Sequence, residues 1–392
     1  MTSSSVPPIR LAAGGLLCLA AAMGIGRFVL TPILPDMSEQ IPLSASLAGL
    51  IASANFLGYL VGALAATALP RALVPQGFAI SLVASVLTSG GMAISDDILW
   101  LAGIRALGGL ASAGVLVFSS SLVLERLAAR GRPDLADLHF GGVGLGIAGS
   151  AALVGVLVAQ GADWRVLWEG AGALSALFCL AAWICLAPVA RRGAPEEAPA
   201  PRVSRDGTDR VVSPALVRLA LAYGLFGVGY VVTATFLTSI LRASETLAPY
   251  EAPAWAAVGL SAAVSVWVWR RISLHLGGGR AFALACLIEA LGVAASVLVP
   301  GVPGLVLAAV LLGGTFMGIT SLGLLEARRI SSGDPRKVLG AMTACFSLGQ
   351  MIGPSFAGVI ADATGSFFWP SIAAAAVLLL AAALVGPFAD PA

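Results

Sequence analysis

Three ionisable side chains stand well away from the ends of the long apolar stretches of this sequence: Arg27, Arg105 and Glu289. An Arg at the centre of a bilayer costs ~2.5–3.5 kcal/mol at insertion, so each such residue calls for a reason. Arg27 lies eight residues before Pro35, ~12 Å from one end of its helix at 1.5 Å per residue. Arg105 lies about seven residues into its own stretch, ~10 Å from the same side. Neither has an acidic residue in the apolar core of its half of the chain. Two guanidinium groups at one depth without partners offer a cationic site for a carboxylate, because the planar fork of Arg matches paired oxygens. The alternative for each is structural: Arg27 bonded to carbonyls near a Pro-kinked helix end, Arg105 bracing neighbouring helices. Glu289 lies about nine residues past Arg280, ~13 Å deep. A carboxyl there is a candidate proton-coupling site, with Arg105 the second candidate; a protonated acid bonded to a neighbouring helix is the alternative.

The uncharged candidates come in pairs. Asn55 and Tyr59 are four apart and share one helix face. Tyr223 and Tyr230 are seven apart and share another, on a helix thinned by Gly224, Gly227 and Gly229. Amphipathic aromatics suit a cavity wall as well as a helix contact. With Arg27 and Arg105, these four make up the candidate substrate site. Gln350 is a further buried polar residue, and Thr315 and Thr320 are weaker candidates because Thr readily bonds its own helix.

The elements that position these residues follow from composition. The chain has 392 residues, 58% hydrophobic, with 47 Gly and only 11% charged, against ~25% charged in a soluble protein. That excludes a soluble enzyme, a disordered chain and a nucleic-acid-binding domain. Twelve apolar runs reach the ~20 residues of a membrane span: about 10–35, 44–69, 74–94, 98–124, 138–161, 165–187, 214–241, 253–274, 279–299, 303–326, 337–361 and 366–388. They are continuous rather than alternating, hence helices. The first run is too long for a signal peptide and reads as a retained span. Trp100, Trp164, Trp255 and Trp369 fall near span ends and read as interface anchors.

Charge sets the orientation. With the N-terminus inside, 18 of the 22 basic residues fall in inside segments, while Asp36, Glu39, Asp96, Asp97, Asp163, Glu245, Glu251 and Asp362 fall outside with only Arg165 and Arg242. This positive-inside pattern puts both termini in the cytoplasm of an inner-membrane protein. The polar stretch 188–213 carries four Pro and five Arg and reads as a flexible cytoplasmic linker. It divides the chain into 1–187 and 214–392, six spans each. Gly142/Gly146 on span 5 and Gly349/Gly353 on span 11 echo one another, small residues four apart that let helices approach closely. Six plus six spans with an inside linker is the layout of duplicated transporters.

Other chemistries find no support. Lys337, the single Lys, follows Asp334-Pro335-Arg336 and so does not complete a phosphate-binding loop. The two His, His139 and His275, lie one in each half, which disfavours a metal or haem site. The five Cys lie in apolar runs without a C-x-x-C and read as packing residues. No cofactor, metal or catalytic residue is called for.

The motifs then point to a family. Arg105-Ala-Leu-Gly-Gly109 on span 4 and Gly349-x-x-x-Gly353-Pro354 on span 11 resemble motifs of the major facilitator superfamily, as does Asp163-Trp164-Arg165 before span 6. More specifically, Gly24-Ile-Gly-Arg27-Phe28-x-x-Thr31-Pro32-x-Leu34-Pro35, Ala52-Ser-Ala-Asn55-Phe-Leu-Gly58-Tyr59 and Gly314-Thr-Phe-Met-Gly318-Ile-Thr320 are similar to its YbfB/YjiJ-like branch. The superfamily's acidic residue in the 2–3 loop is missing, since Ala66 follows Gly62-Ala-Leu-Ala65, and so is the Asp of the 8–9 loop. The resemblance implies an all-α membrane protein of two pseudo-symmetric six-helix bundles, with spans 1, 4, 7 and 10 lining a central cavity. It implies transport and names no substrate.

The resulting expectation is a monomeric secondary transporter working by alternating access, with protons as the driving ion and a small organic anion as substrate. A proton-driven efflux pump for amphipathic drugs is the alternative. A membrane-embedded enzyme is remote, because it needs clustered His, Cys or carboxylates at one depth. The topology is testable: protease should cut segment 188–213 only from the cytoplasmic face, and cleavage from outside intact spheroplasts would reverse the orientation.

Overall fold

The computed structural model describes residues 6–190, 213–331 and 335–386. Among these residues twelve helices or helix pairs are long and apolar enough to cross a membrane, one for each predicted run. The first span is broken: α1 (Pro8–Leu19) passes through a π-helical turn, Ala20–Ile25, and a short irregular turn into α2 (Leu30–Gln40). The others are α3 (Ala45–Ala68), α4 (Val74–Gly91), α5 (Ile98–Ala129), α6 (Ala136–Ala159), α7 (Trp164–Ala190), α8 (Pro214–Arg242), α9 (Glu251–Leu276), α10 (Gly278–Leu298), α11 (Gly301–Ile330), α12 (Pro335–Thr364) and α13 (Phe368–Val385). Several outrun the apolar stretch that announces them. α7 continues through Pro188 to Ala190, so the first residues assigned to the linker are helical; 191–212 lie outside the described residues.

Local chemistry starts and stops these helices. Asp97 caps α5 by accepting the Trp100 N–H at 2.8 Å, and Ser213 caps α8 by accepting that of Leu216 at 3.2 Å. Each covers a donor that no helical carbonyl reaches. α9 turns directly into α10 at Gly277, whose φ of +81° favours a residue without a Cβ.

Glycines set the packing. Gly142 and Gly146 of α6 lie against the backbone of Leu16 and Ala20 in the first span, while Gly349 and Gly353 of α12 lie against Gly224 and Val228 of α8. Likewise Gly58 and Gly62 of α3 meet Ala106 and Leu110 of α5, as Gly313 and Gly318 of α11 meet Val258 and Trp269 of α9. Spans 1–5 and 2–4 therefore pack as spans 7–11 and 8–10 do. In a bilayer, where lipid tails are as apolar as the helices, such close backbone approach is what holds helices together.

The two sets of six meet along α3/α12, α6/α9 and α2/α8. We call the end at which Ala190 and Ser213 lie the linker end. At the opposite end Arg242 of α8 bonds Glu39 at 2.7 Å, Asp36 at 3.3 Å and Glu251. Nearby, the Thr31 hydroxyl donates to the Ala234 carbonyl at 2.6 Å, and that of Thr238 donates to the Thr31 carbonyl. Asp362 of α12 accepts from the backbone N–H groups of Ala45 and Ser46 at the start of α3, at 3.0 and 2.9 Å. At the linker end, Arg270 of α9 grips Asp137 of α6 at 2.6 Å.

Two of the four predicted interface anchors are corrected. Trp100 and Trp369 are exposed, but Trp164 and Trp255 are buried inside the bundle. The Trp164 backbone N–H donates to Gln40 Oε1 at 3.0 Å, which ties the start of α7 to α2 instead of to a headgroup layer.

Candidate functional site

The site begins with the break in span 1. Through Ala20–Ile25 the helix widens, and the Gly26 N–H donates to Ala21, five residues back, at 2.8 Å. Pro32 has no N–H to offer Phe28, and the Thr31 N–H turns to the Phe28 carbonyl at 3.3 Å. The carbonyls of Gly26 and Arg27 are taken instead by Arg105 of α5, through Nη1 at 2.7 Å and Nη2 at 2.8 Å. Broken helices persist at membrane depth where neighbouring groups re-satisfy the backbone in this way. The carbonyl of Arg105 accepts from Asn55 Nδ2 at 2.9 Å, and its guanidinium carbon lies 5.9 Å from the Trp168 ring. Gly58 and Gly109 bring α3 and α5 into backbone contact at this level. Arg105 thus braces the broken segment through both of its terminal nitrogens.

Arg27 is different. It is 5% exposed, and its guanidinium lies on aromatic rings, 4.5 Å from the Tyr59 centroid, 4.6 Å from Phe56 and 5.5 Å from Phe28. Its Nε and Nη2 have no hydrogen-bond partner among the described residues. These two nitrogens form one edge of the fork, with parallel N–H bonds. Elsewhere in this chain the same edge holds carboxylates: Arg242 on Glu251, Arg270 on Asp137, Arg329 on Glu326 and Arg132 on Asp134. At Arg27 the edge is buried and bare. Arg27, Thr31, Phe56, Arg105 and Thr235 line a space closed to about 10 Å³, close to what one water fills.

The predicted residues gather unevenly. Asn55, Tyr59 and Arg105 join Arg27 on the side of the first six spans. Tyr223 and Tyr230 face them from α8, both stacked on Phe346. Their hydroxyls have partners: that of Tyr223 donates to the Thr320 carbonyl at 3.1 Å, and that of Tyr230 accepts from Gln350 Nε2. Thr315 and Thr320 bond their own helix carbonyls, at 2.6 and 2.8 Å. Glu289 stands apart on α10, a helix that packs chiefly on α11 and α13. It is fully buried, and neither carboxyl oxygen has a hydrogen-bond partner among the described residues.

Sequence reasoning passes over the rings that surround the cation. Phe56 sits between Asn55 and Tyr59 and, three before Tyr59, covers the same face. Phe316 of α11 is parallel to Tyr230 (5.6 Å, 4°) and meets Phe28 edge-on at 5.8 Å. It lies inside the Gly314–Thr320 motif, where the flanking Gly are the more conspicuous signal.

The family described as "Uncharacterised MFS-type transporter YbfB" matches residues 19–386. The chain belongs to this YbfB-like family of MFS-type transporters. No curated protein matches it. Among solved structures it resembles the nucleoside transporter NupG, in a mutant form, with TM-score 0.73 and 14% identity over 97% of this chain and 100% of that one. It also resembles a bacterial homologue of the human lysosomal transporter Spinster, inward-facing and unoccupied, with TM-score 0.72 and 15% identity over 98% and 97%. The YbfB-like chain thus has the major facilitator fold, acts on a small molecule in membrane transport, and is a transporter rather than an enzyme.

Removing the brace should be costly in a YbfB-like chain so built. Arg105→Ala strips two buried carbonyls of their donors, a loss of about 1–3 kcal/mol for each. The purified variant should melt well below wild type, with Arg105→Lys in between. An unchanged melting temperature in Arg105→Ala would remove Arg105 from the support of span 1.

Proposed function

We propose that this chain is a secondary active transporter that carries a small organic anion across the inner membrane, with Arg27 as the residue that grips it. The observation that supports this reading is the bare Nε–Nη2 edge of Arg27, buried at the meeting of the two sets of six spans. A desolvated guanidinium is stabilised by a carboxylate far more than by its apolar surroundings, and four other Arg of this chain make that pairing with the same edge. The near-closed space beside Arg27 means that a substrate enters only when the helices around it part, as alternating access requires. Arg105 is the positioning residue: it fixes the backbone on which Arg27 is mounted. The likeness to the nucleoside transporter NupG, at 14% identity, carries the fold alone and does not inform the choice of substrate.

The driving ion in this reading is the proton. Glu289 is the carboxyl that would carry it, since it is buried with no cation paired to it among the described residues. The transporter works as a monomer, both termini in the cytoplasm, with 1–187 and 214–392 as the rocking halves.

Two measurements test this. A thermal-shift screen of purified protein against small carboxylates and their neutral amides should find stabilising carboxylates. Arg27→Lys should bind the best of them ten- to hundred-fold more weakly, the equivalent of a lost charge-assisted bond of about 1.5–3 kcal/mol. Binding within twofold of wild type would reassign Arg27 to packing. In proteoliposomes, Glu289→Gln should stay folded and lose its response to an imposed pH gradient; an undiminished response would make Glu289 structural.

A further inference from the structure

The surroundings of the bare edge limit what kind of anion fits it. This inference rests on the reading of Arg27 as the anion grip and narrows the substrate class. The first constraint is the number of forks. Arg105, the other buried Arg at this level, has Nη1 and Nη2 committed to the Gly26 and Arg27 carbonyls. Only its Nε lacks a partner, and a single N–H makes no fork. The site therefore offers one fork for one carboxylate, and a second carboxylate would reach Arg105 through that single N–H at most.

The second constraint is the wall. On one side, Phe56 and Tyr59 present their rings to the guanidinium. On the other, Phe28 meets Phe316 edge-on, and Phe316 and Phe346 lie almost parallel to Tyr230, at 4° and 5°, with centroids 5.6 and 5.9 Å away. A run of rings thus leads from the cation into the second set of spans. Rings gain from stacking with other rings beyond the area they bury, and a saturated body of equal size forgoes that gain.

We propose that the substrate is a monocarboxylate with a flat aromatic body, its carboxylate on the Nε–Nη2 edge of Arg27 and its ring among Phe28, Tyr230 and Phe316.

The test uses the purified full chain and three pairs of acids: benzoate and cyclohexanecarboxylate, phenylacetate and cyclohexylacetate, 2-naphthoate and its decahydro counterpart. Terephthalate serves as the dianion. Affinities are read by calorimetry or thermal shift. Each aromatic acid that binds should do so roughly three- to tenfold tighter than its saturated partner, and terephthalate at least tenfold more weakly than benzoate. The saturated acids are no less apolar, so the preference reads ring contact rather than area. Phe316→Leu should erase the preference while the saturated acids stay within twofold. Equal or tighter binding of the saturated acids, or terephthalate matching benzoate, overturns this inference and leaves the anion reading standing. Failure of every carboxylate to bind, or binding that survives Arg27→Ala, defeats the anion reading and this one with it.

Discussion

Pro32 has no N–H to donate, and in a bilayer no water stands ready to take its place. The local response is small: one N–H turns to a nearer carbonyl, and a π turn precedes the gap. The remaining deficit is two carbonyls, Gly26 and Arg27, and a single side chain meets both. Arg105 can do so because its donors are held in a plane at fixed spacing; an ammonium reaches two carbonyls only with less exact geometry. The bond from Asn55 to the Arg105 carbonyl and the glycine contacts of α3 with α5 then place the brace. The position of Arg27 is a consequence of this arrangement. It rides on the segment that Arg105 holds, and its side chain is left to the rings.

This division of labour explains why two Arg at one depth behave differently. One is consumed by backbone and has no fork to spare. The other is surrounded by π faces, which stabilise a cation without occupying its N–H groups. Rings on Arg27 offset part of its desolvation cost while leaving the Nε–Nη2 edge open. A carboxylate of the chain's own at that place would have neutralised the charge and closed the edge, as Glu326 does for Arg329.

Much of the fold is legible in the sequence, because a bilayer demands long apolar helices and charge asymmetry marks their ends. The repeated glycine pairs are legible too, Gly142/Gly146 and Gly349/Gly353 each placing one helix on the first span of its half. The site is less so. Depth along a helix can be counted, which puts Arg27 and Arg105 at one level; the direction a side chain takes cannot, and it separates their roles. A Trp near a helix end looks the same whether it faces lipid or a neighbour, which is why Trp164 and Trp255 read as anchors and yet are buried. Phe316 and Phe346 are apolar residues in apolar runs, with no signal that sets them apart before the helices are assembled. For Glu289, counting along the chain yields a depth but not the helix it faces.

The carboxylate of Asp362 has a consequence for how the two sets of spans are joined. A helix start is ordinarily completed by residues just before it, and Ser44 does this for the Leu47 N–H of α3. The N–H groups of Ala45 and Ser46, however, are completed from more than 300 residues away, by a side chain on α12. The first turn of α3 thus belongs in part to the other half of the molecule. Parting α3 from α12 at this end bares two backbone donors as well as separating two surfaces. Order in that turn and contact between the halves are one equilibrium, with one free energy between them.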